Sequence, residues 1–262
     1  MLLLRYSLAC ASLLQLGLAA PMPSPEASPV MYYKSLSPSA AAKLEAAESK
    51  ILLRTMPLGA SITFGEHSSD GNGYRKPLRD KLVSDGFGVD MVGNNPGGTM
   101  EDNQTEGYPG FTIDQVHAKA KISVPQYKPN LVLVNVGLND CFQNVDTANA
   151  GTRLRSMLDD VYADSPNAMV LLSTLITNAD ASIRTCIADI NRQYADVARS
   201  LRLQGKRIAL ADMQPPSGPT LDDLAEGSHP NDQGYEKMAE VWFQWIELVS
   251  QQGLLVKADP IS

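Results

Sequence analysis

The stretch Leu131-Val132-Leu133-Val134-Asn135-Val136 is the clearest strand signal in the chain. It is almost entirely apolar and lies between the turn residues Pro129-Asn130 and Gly137. An apolar run of this length, closed by turn residues on both sides, is typical of a strand that is buried on both faces of a parallel sheet. The rest of the chain is therefore expected to supply neighbouring strands and the helices that cover them.

Strand and helix patterns alternate on both sides of this stretch. Pro125 is expected to close the helix before it, and Asn231 to cap the last helix of the chain. Five strands separated by helices predict an α/β fold with a parallel sheet, whose ligands bind at the carboxyl ends of the strands. The other predicted strands are residues 51–58, 89–92, 169–175 and 207–211, and the predicted helices are residues 74–84, 114–123, 148–163, 181–203 and 231–250.

The first part of the chain is typical of an exported protein. Residues 1–20 combine the positive charge of Arg5, an apolar stretch and small residues at the end, which predicts a signal peptide that is too short to span a bilayer. Residues 21–49 are rich in Pro, Ser and Ala and predict a linker or N-terminal arm. Residues 50–254 are expected to form one folded domain, followed by a C-terminal tail over residues 255–262.

Cysteine content and charge fit a secreted protein. Once Cys10 leaves with the signal peptide, Cys141 and Cys186 remain and are expected to form a disulfide, the alternative being two buried free thiols. The sequon Asn103-Gln104-Thr105 predicts a surface loop. The formal net charge of −7 argues against nucleic acid or an anionic membrane as the main partner.

The chain has three histidines, so the search for a catalytic base is short. His117 falls inside a predicted helix and is expected to be a packing or surface residue, and His67 lies in a polar loop. His229 precedes the last helix in Glu226-Gly227-Ser228-His229-Pro230, where the proline restricts its backbone. Because Glu226 lies three residues upstream, its carboxylate can turn back and hold the imidazole in one tautomer.

Three further residues follow predicted strands, at the edge where chemistry is expected. Ser61 comes directly after the first strand and is a candidate nucleophile, although a serine there also serves as a helix N-cap. Asn139 follows the central strand and can donate to a developing oxyanion, although Asn-Asp pairs also favour turns. Gly110, in Tyr108-Pro109-Gly110, can offer its backbone N–H or can simply form a turn.

The order of these residues resembles the SGNH (GDSL-like) hydrolases over nearly all of the chain after residue 49. More narrowly, it is similar to the secreted acetylxylan esterases of carbohydrate esterase family three. The stretches that carry this resemblance are Met56-Pro57-Leu58-Gly59, Gly71-Asn72-Gly73-Tyr74-Arg75, Glu106-Gly107-Tyr108-Pro109-Gly110, Gly137-Leu138-Asn139-Asp140-Cys141 and Gly227-Ser228-His229-Pro230-Asn231-Asp232.

The resemblance implies a flavodoxin-like three-layer α/β/α sandwich with a five-stranded parallel sheet. It also implies Ser61 as nucleophile, His229 as base, and an oxyanion hole made by the Ser61 and Gly110 backbone N–H groups and the Asn139 side chain. Two positions depart from the family: Ala60 stands where an Asp is usual, and Glu226 where the triad acid is usually Asp. The nearby rivals for the role of triad acid are Asp222, Asp223 and Asp232.

These observations together predict a secreted serine esterase that removes acetyl groups from acetylated plant polysaccharide, such as acetylxylan. We expect a monomer that needs no cofactor and no metal, since the three histidines lack ligand spacing in the sequence. The aromatic residues Tyr74, Tyr108 and Phe111 are expected either to stack on sugar rings or to pack internally. The alternatives are an esterase for pectic or lipid acyl esters, and an inactive secreted carbohydrate-binding protein, which Ala60 keeps open.

Overall fold

Parallel strands alternate with helices along residues 50–261, the part of the chain that the computed structural model describes. The predicted signal peptide, Cys10 and the predicted linker lie outside these residues. The strands are β1 (Leu52–Gly59), β2 (Gly88–Met91), β3 (Glu106–Gly107), β4 (Leu131–Asn135), β5 (Met169–Ser173) and β6 (Ile208–Ala211). The helices are α1 (Ser61–Phe64), α2 (Arg75–Ser84), α3 (Ile113–Tyr127), α4 (Leu138–Gln143), α5 (Ala150–Asp164), α6 (Ala181–Leu203) and α7 (Asp232–Gln251).

All six strands run parallel in one sheet, in the order β2-β1-β4-β5-β6. The two-residue strand β3 pairs with the carboxyl end of β1, where Leu58 lies opposite Glu106. The central strand β4 is buried along its whole length, as its apolar sequence predicts. The predicted α/β fold with a five-stranded parallel sheet is therefore confirmed, with β3 as a short addition.

Helices cover both faces of the sheet and make three layers. Alternate residues of β4 point to opposite faces, so Val132 and Val134 pack with α3, α5 and α6, whereas Leu131 and Leu133 pack with α2 and α7. Trp242 of α7 is fully buried in the second of these cores. Burying both faces of the strands is what allows them to be apolar throughout.

The structure corrects one predicted helix boundary. Pro125 was expected to close the helix predicted over residues 114–123, but α3 continues through Pro125 to Tyr127. A proline in the last turn removes only one backbone hydrogen bond, and the helix then ends at Lys128, whose left-handed backbone lets its N–H bond the Val124 carbonyl. Asn231 caps α7 as predicted, its side chain accepting from the Gly234 N–H.

Two further features fix the ends of the sheet. A disulfide joins Cys141 of α4 to Cys186 of α6, which confirms the predicted pairing of these two cysteines. At the opposite end, the Asn130 amide donates to the carbonyls of Leu52 and Val256, so the chain after α7 is held at the amino ends of β1 and β4. Within residues 50–261, no helix combines the length and the apolar character that crossing a bilayer requires.

Candidate active site

Ser61 is positioned by the turn from β1 into α1. Ala60, and not Ser61, is the N-cap residue, so the Ser61 hydroxyl is free of a capping role. The preceding Gly59 is required by close packing, because a Cβ there would lie 2.1 Å from the Asn135 carbonyl oxygen of the neighbouring strand. This contact fixes the carboxyl end of β1 against β4 and holds Ser61 at the edge of the sheet.

His229 is delivered by a small hairpin that precedes α7. Leu224 and Pro230 form an antiparallel bridge, and the Ala225 N–H donates to the His229 carbonyl over 2.8 Å. The hairpin is tied to the loop after β5 by a hydrogen bond of 2.8 Å from the Ala179 N–H to the Gly227 carbonyl. As a result, His229 Nε2 lies 2.8 Å from the Ser61 Oγ.

Glu226 is the carboxylate that contacts the other ring nitrogen, Nδ1, of His229. The same carboxylate accepts the Ser228 backbone N–H over 2.8 Å. Burial by itself would raise the pKa of Glu226, but the hydrogen bonds from His229 and Ser228 outweigh it, and the pKa lies below its usual value. Glu226 is therefore held as a carboxylate beside the imidazole.

The rival acids have other contacts. Asp223 accepts from the Thr220 hydroxyl over 2.7 Å and also pairs with Lys237. Asp232 accepts the Ser69 backbone N–H over 2.8 Å, and Asp222 is an exposed residue of a 3-10 turn. Among these four carboxylates, Glu226 alone has a hydrogen bond to His229 in the described part of the chain.

The expected oxyanion donors lie in two neighbouring loops that are hydrogen bonded to each other. Asn139, at the start of α4, donates through Nδ2 to the Phe111 carbonyl over 2.9 Å and keeps its second amide hydrogen for another acceptor. Gln143 of the same helix donates to the Gly110 carbonyl over 2.8 Å. Gly110 has φ +79°, a left-handed conformation that favours glycine.

Ser61, Asn139 and His229 line one small cavity of about 30 Å³. This volume is room for about one water-sized group, so the space beside the nucleophile is narrow. Gly110 lies outside the set of residues that line it. The other lining residues are Ala60, Ile62, Asn135, Val136, Gly137, Leu138 and Phe142.

The structure also brings a second histidine to the site. The His67 ring stacks on the His229 ring with centroids 4.8 Å apart, and His67 Nε2 lies 3.8 Å from Glu226 Oε1. His67 has φ +65°, which is uncommon for a residue with a side chain. The sequence alone places His67 in a polar loop and assigns it no role. Its position shortly after α1 is the signal that it lies near Ser61.

The remaining sequence candidates divide between core and surface. His117 lies elsewhere, 2.7 Å from Asp160 Oδ2. Tyr74 is fully buried, with its ring centroid 6.0 Å from that of Trp242, so it packs internally. Tyr108 and Phe111 are half-buried and stack on each other with centroids 5.2 Å apart, close to the Gly110 turn.

A parallel α/β/α sheet with a serine, a histidine and an acid at its carboxyl edge defines a class of hydrolases. The sequence pattern of the GDSL-like Lipase/Acylhydrolase family matches residues 58–237, which include Ser61 and His229. The chain belongs to this family, and the resemblance to the SGNH hydrolases noted in the sequence is confirmed.

Three individual proteins similar to this chain are one esterase compared by sequence and two carbohydrate esterases of known structure. The chain is 31% identical over 242 residues to a multidomain esterase of Ruminococcus flavefaciens; the match covers 81% of this chain and 30% of that protein, so the chain spans less than a third of that relative. A family 3 carbohydrate esterase of Clostridium thermocellum superposes with a TM-score of 0.68 at 23% identity, covering 78% of this chain and 99% of that one. A carbohydrate esterase family 3 protein of Talaromyces cellulolyticus superposes with a TM-score of 0.66 at 22% identity, covering 76% and 99%.

Proposed function

We propose that this chain is a secreted serine esterase that removes acetyl groups from carbohydrate, with acetylated plant polysaccharide such as acetylxylan as its substrate. The observation that carries the proposal is the hydrogen-bonded chain from Ser61 Oγ to His229 and on to Glu226. This arrangement can activate a serine hydroxyl, which is a poor nucleophile when unassisted. The disulfide supports export, because such bonds persist in oxidising compartments.

In the proposed mechanism, His229 Nε2 takes the Ser61 proton as the hydroxyl oxygen attacks the ester carbonyl carbon. Glu226 keeps the Nδ1–H of His229 oriented and stabilises the imidazolium that forms. The imidazolium then gives its proton to the sugar oxygen as the ester bond breaks, which leaves an acetyl group on Ser61. Water attacks this acetyl-enzyme with His229 as base again, and acetate leaves.

The tetrahedral intermediate carries a negative oxygen that needs hydrogen-bond donors. Ser61 and Asn139 both line the cavity, and the proposed donors are the Ser61 backbone N–H, the free amide hydrogen of Asn139 and, as the third, the Gly110 N–H. Preorganised donors of this kind are worth about 3 to 4 kcal/mol each in the transition state. Ala60, which replaces the usual Asp, is not needed for any of these steps.

The proposed acyl group follows from the size of the cavity. The narrow space beside Ser61, about 30 Å³, suits a short acyl group such as acetyl better than an extended acyl chain. This favours acetyl esters over lipid acyl esters. The carbohydrate part of the proposal is supported by the names of the superposed proteins, which are carbohydrate esterases.

The test is acetate release from acetylated xylan by the purified protein, beside its Ser61→Ala variant. Release by the parent and none by the variant is the expected result. A matched control is Ser69→Ala, an exposed serine of the neighbouring loop, which should retain the parent activity.

Other results would change the proposal in defined ways. Activity on acetylated pectin but not on xylan would retain an acetylated plant polysaccharide as the substrate and overturn xylan. Activity on aryl acetates alone would retain only the esterase. Absence of any ester hydrolysis by the parent protein, with its fold intact by circular dichroism, would favour the alternative of an inactive carbohydrate-binding protein.

A further inference from the structure

We infer that His67, His229 and Glu226 form an inhibitory binding site for a transition-metal dication, with Zn²⁺ as the best fit. The three residues offer ligand atoms that all lie within 4.8 Å of one another. The inference rests on the proposed esterase for its consequence, but not for the binding itself. The sequence conceals this cluster, because His67 and His229 come from opposite ends of the domain.

The donor set fits zinc by its chemistry. Two imidazoles and one carboxylate are the protein ligands of many zinc sites in which further positions are taken by water. The His67 and His229 rings are stacked with an interplanar angle of 26°, and Glu226 Oε1 is close to a nitrogen of each ring. Small side-chain rotations at this exposed rim can therefore point all three donors at one ion.

Charge also favours a dication at this place. Glu66 Oε2 lies 3.7 Å from His229 Nε2, so two carboxylates, Glu66 and Glu226, flank the imidazole. No Lys or Arg side chain forms an ion pair with either of them within residues 50–261. The backbone at Glu66 is held in place, because the Tyr235 hydroxyl donates to the Glu66 carbonyl over 2.6 Å.

The bound ion would stop catalysis by occupying the base. His229 uses both ring nitrogens in the proposed mechanism, Nδ1 towards Glu226 and Nε2 towards Ser61. A cation on Nδ1 displaces the contact with Glu226 and leaves the ring hydrogen on Nε2. This nitrogen then cannot accept the Ser61 proton. A cation on Nε2 competes directly with the Ser61 hydroxyl. In either case the ion inhibits, and chelation restores the activity.

Binding is tested first without turnover. Calorimetric titration of Zn²⁺ into the metal-free Ser61→Ala protein should give one site, and Co²⁺ in its place should give the visible spectrum of a nitrogen-ligated ion. His67→Asn is the informative variant, because asparagine also tolerates the left-handed backbone at this position. It should weaken binding by at least about tenfold. His117→Asn removes a histidine outside the cluster and should leave the affinity unchanged.

Inhibition is then measured on an aryl acetate, with and without EDTA. Added Zn²⁺ should inhibit the parent reversibly. His67→Asn, measured against its own zinc-free rate, should need at least about ten times more zinc for half-inhibition. Absence of zinc binding below about 1 mM, or binding that His67→Asn does not weaken, would overturn the site. A protein that binds zinc through His67 but hydrolyses no ester would retain the metal site and overturn the esterase, so the two failures are distinguishable.

Discussion

The carboxylate of Asp140 accepts the backbone N–H of Ile113 over 3.1 Å, and its other oxygen lies 2.7 Å from a guanidinium nitrogen of Arg153. Asp140 is fully buried directly after Asn139, and Ile113 opens α3 just beyond the Gly110 turn. Burial raises the pKa of Asp140, although Arg153 and the Ile113 N–H oppose this shift. The hydrogen bond between Asp140 and Ile113 therefore joins the loop that carries Asn139 to the loop that carries Gly110.

Removing this buried carboxylate should lower the stability of the fold. Asp140→Ala leaves the Arg153 guanidinium, of which about a tenth is exposed, without its buried partner, and we expect the free energy of unfolding to fall by about 3 to 5 kcal/mol in a urea titration. Asp114→Ala is the matched control, because Asp114 also contacts Arg153 but is mostly exposed. That change should cost less than about 1 kcal/mol. Equal losses in the two variants would contradict the structural role given to Asp140.

The Asn139 amide should matter in the transition state more than in substrate binding. We expect Asn139→Ala to lower kcat by about 10²- to 10³-fold with little change in KM, because the donor is needed only when the oxyanion forms. Steady-state kinetics on acetylated xylan or an aryl acetate give both values. A rise in KM at constant kcat would instead assign Asn139 to substrate binding.

The Glu226 carboxylate should remain available to His229 at acidic pH. The pKa of Glu226 is lowered, so its carboxylate form persists to a lower pH than an ordinary glutamate would allow. We therefore expect any acid loss of kcat/KM that depends on Glu226 to begin at a lower pH than an ordinary glutamate would give, and a pH–rate profile measures this. In Glu226→Gln the plateau of kcat/KM should fall by on the order of 10³- to 10⁴-fold, because the contact that orients the imidazole is lost. A plateau close to that of the parent would contradict the role given to Glu226.

The small cavity should set the acyl preference. Leu138 is half-buried and lines the cavity beside Ser61. Leu138→Ala should therefore raise the ratio of butyrate to acetate ester hydrolysis by about tenfold, since one or two methylene groups are worth about 1 to 3 kcal/mol in such a pocket. Parallel assays on p-nitrophenyl acetate and butyrate measure the ratio. A ratio that stays at the parent value would show that the acyl group lies elsewhere.

The disulfide should contribute to stability because it closes a long loop. It joins residues 45 positions apart, for which the chain-entropy relation gives about 4 kcal/mol. The double variant Cys141→Ser, Cys186→Ser should lower the free energy of unfolding by about this amount under oxidising conditions. Treating the parent with a reductant before the same titration should produce the same loss, and the double variant should not respond to it.

Much of the fold can be read from the sequence because its central strands are buried on both faces. Mostly apolar runs predict the five main strands, most clearly β4, which lies between Pro129-Asn130 and Gly137. The 23-residue helix Ala181–Leu203 is predicted with its observed ends. Elements of only a few residues are missed, since β3 has two residues and α1 has four. Their existence depends on contacts with neighbouring strands, such as that of Leu58 with Glu106, and not on local periodicity.

For the candidate site, the sequence places Ser61, Asn139 and His229 at the correct edge of the sheet. The choice of acid stays open at that level, because Asp222, Asp223 and Asp232 are all within seven residues of His229. Only the hairpin geometry, which turns Glu226 back onto the imidazole, separates them. The approach of His67 is equally invisible in the sequence, because it depends on a turn with φ +65° and on docking with a loop 162 positions further along the chain.

The hairpin before α7 carries both the proposed base, His229, and its proposed acid, Glu226, so these two residues move as one body. Its attachment to the rest of the protein includes the hydrogen bonds from Ala179 to Gly227 and from Asn178 to Ser228, and the contact of His229 with Ser61. Local openings of such segments need far less free energy than global unfolding. The chain can therefore pass through a state that is folded and disulfide-bonded but has no activity. Loss of activity would then indicate local opening of this hairpin before the rest of the domain unfolds.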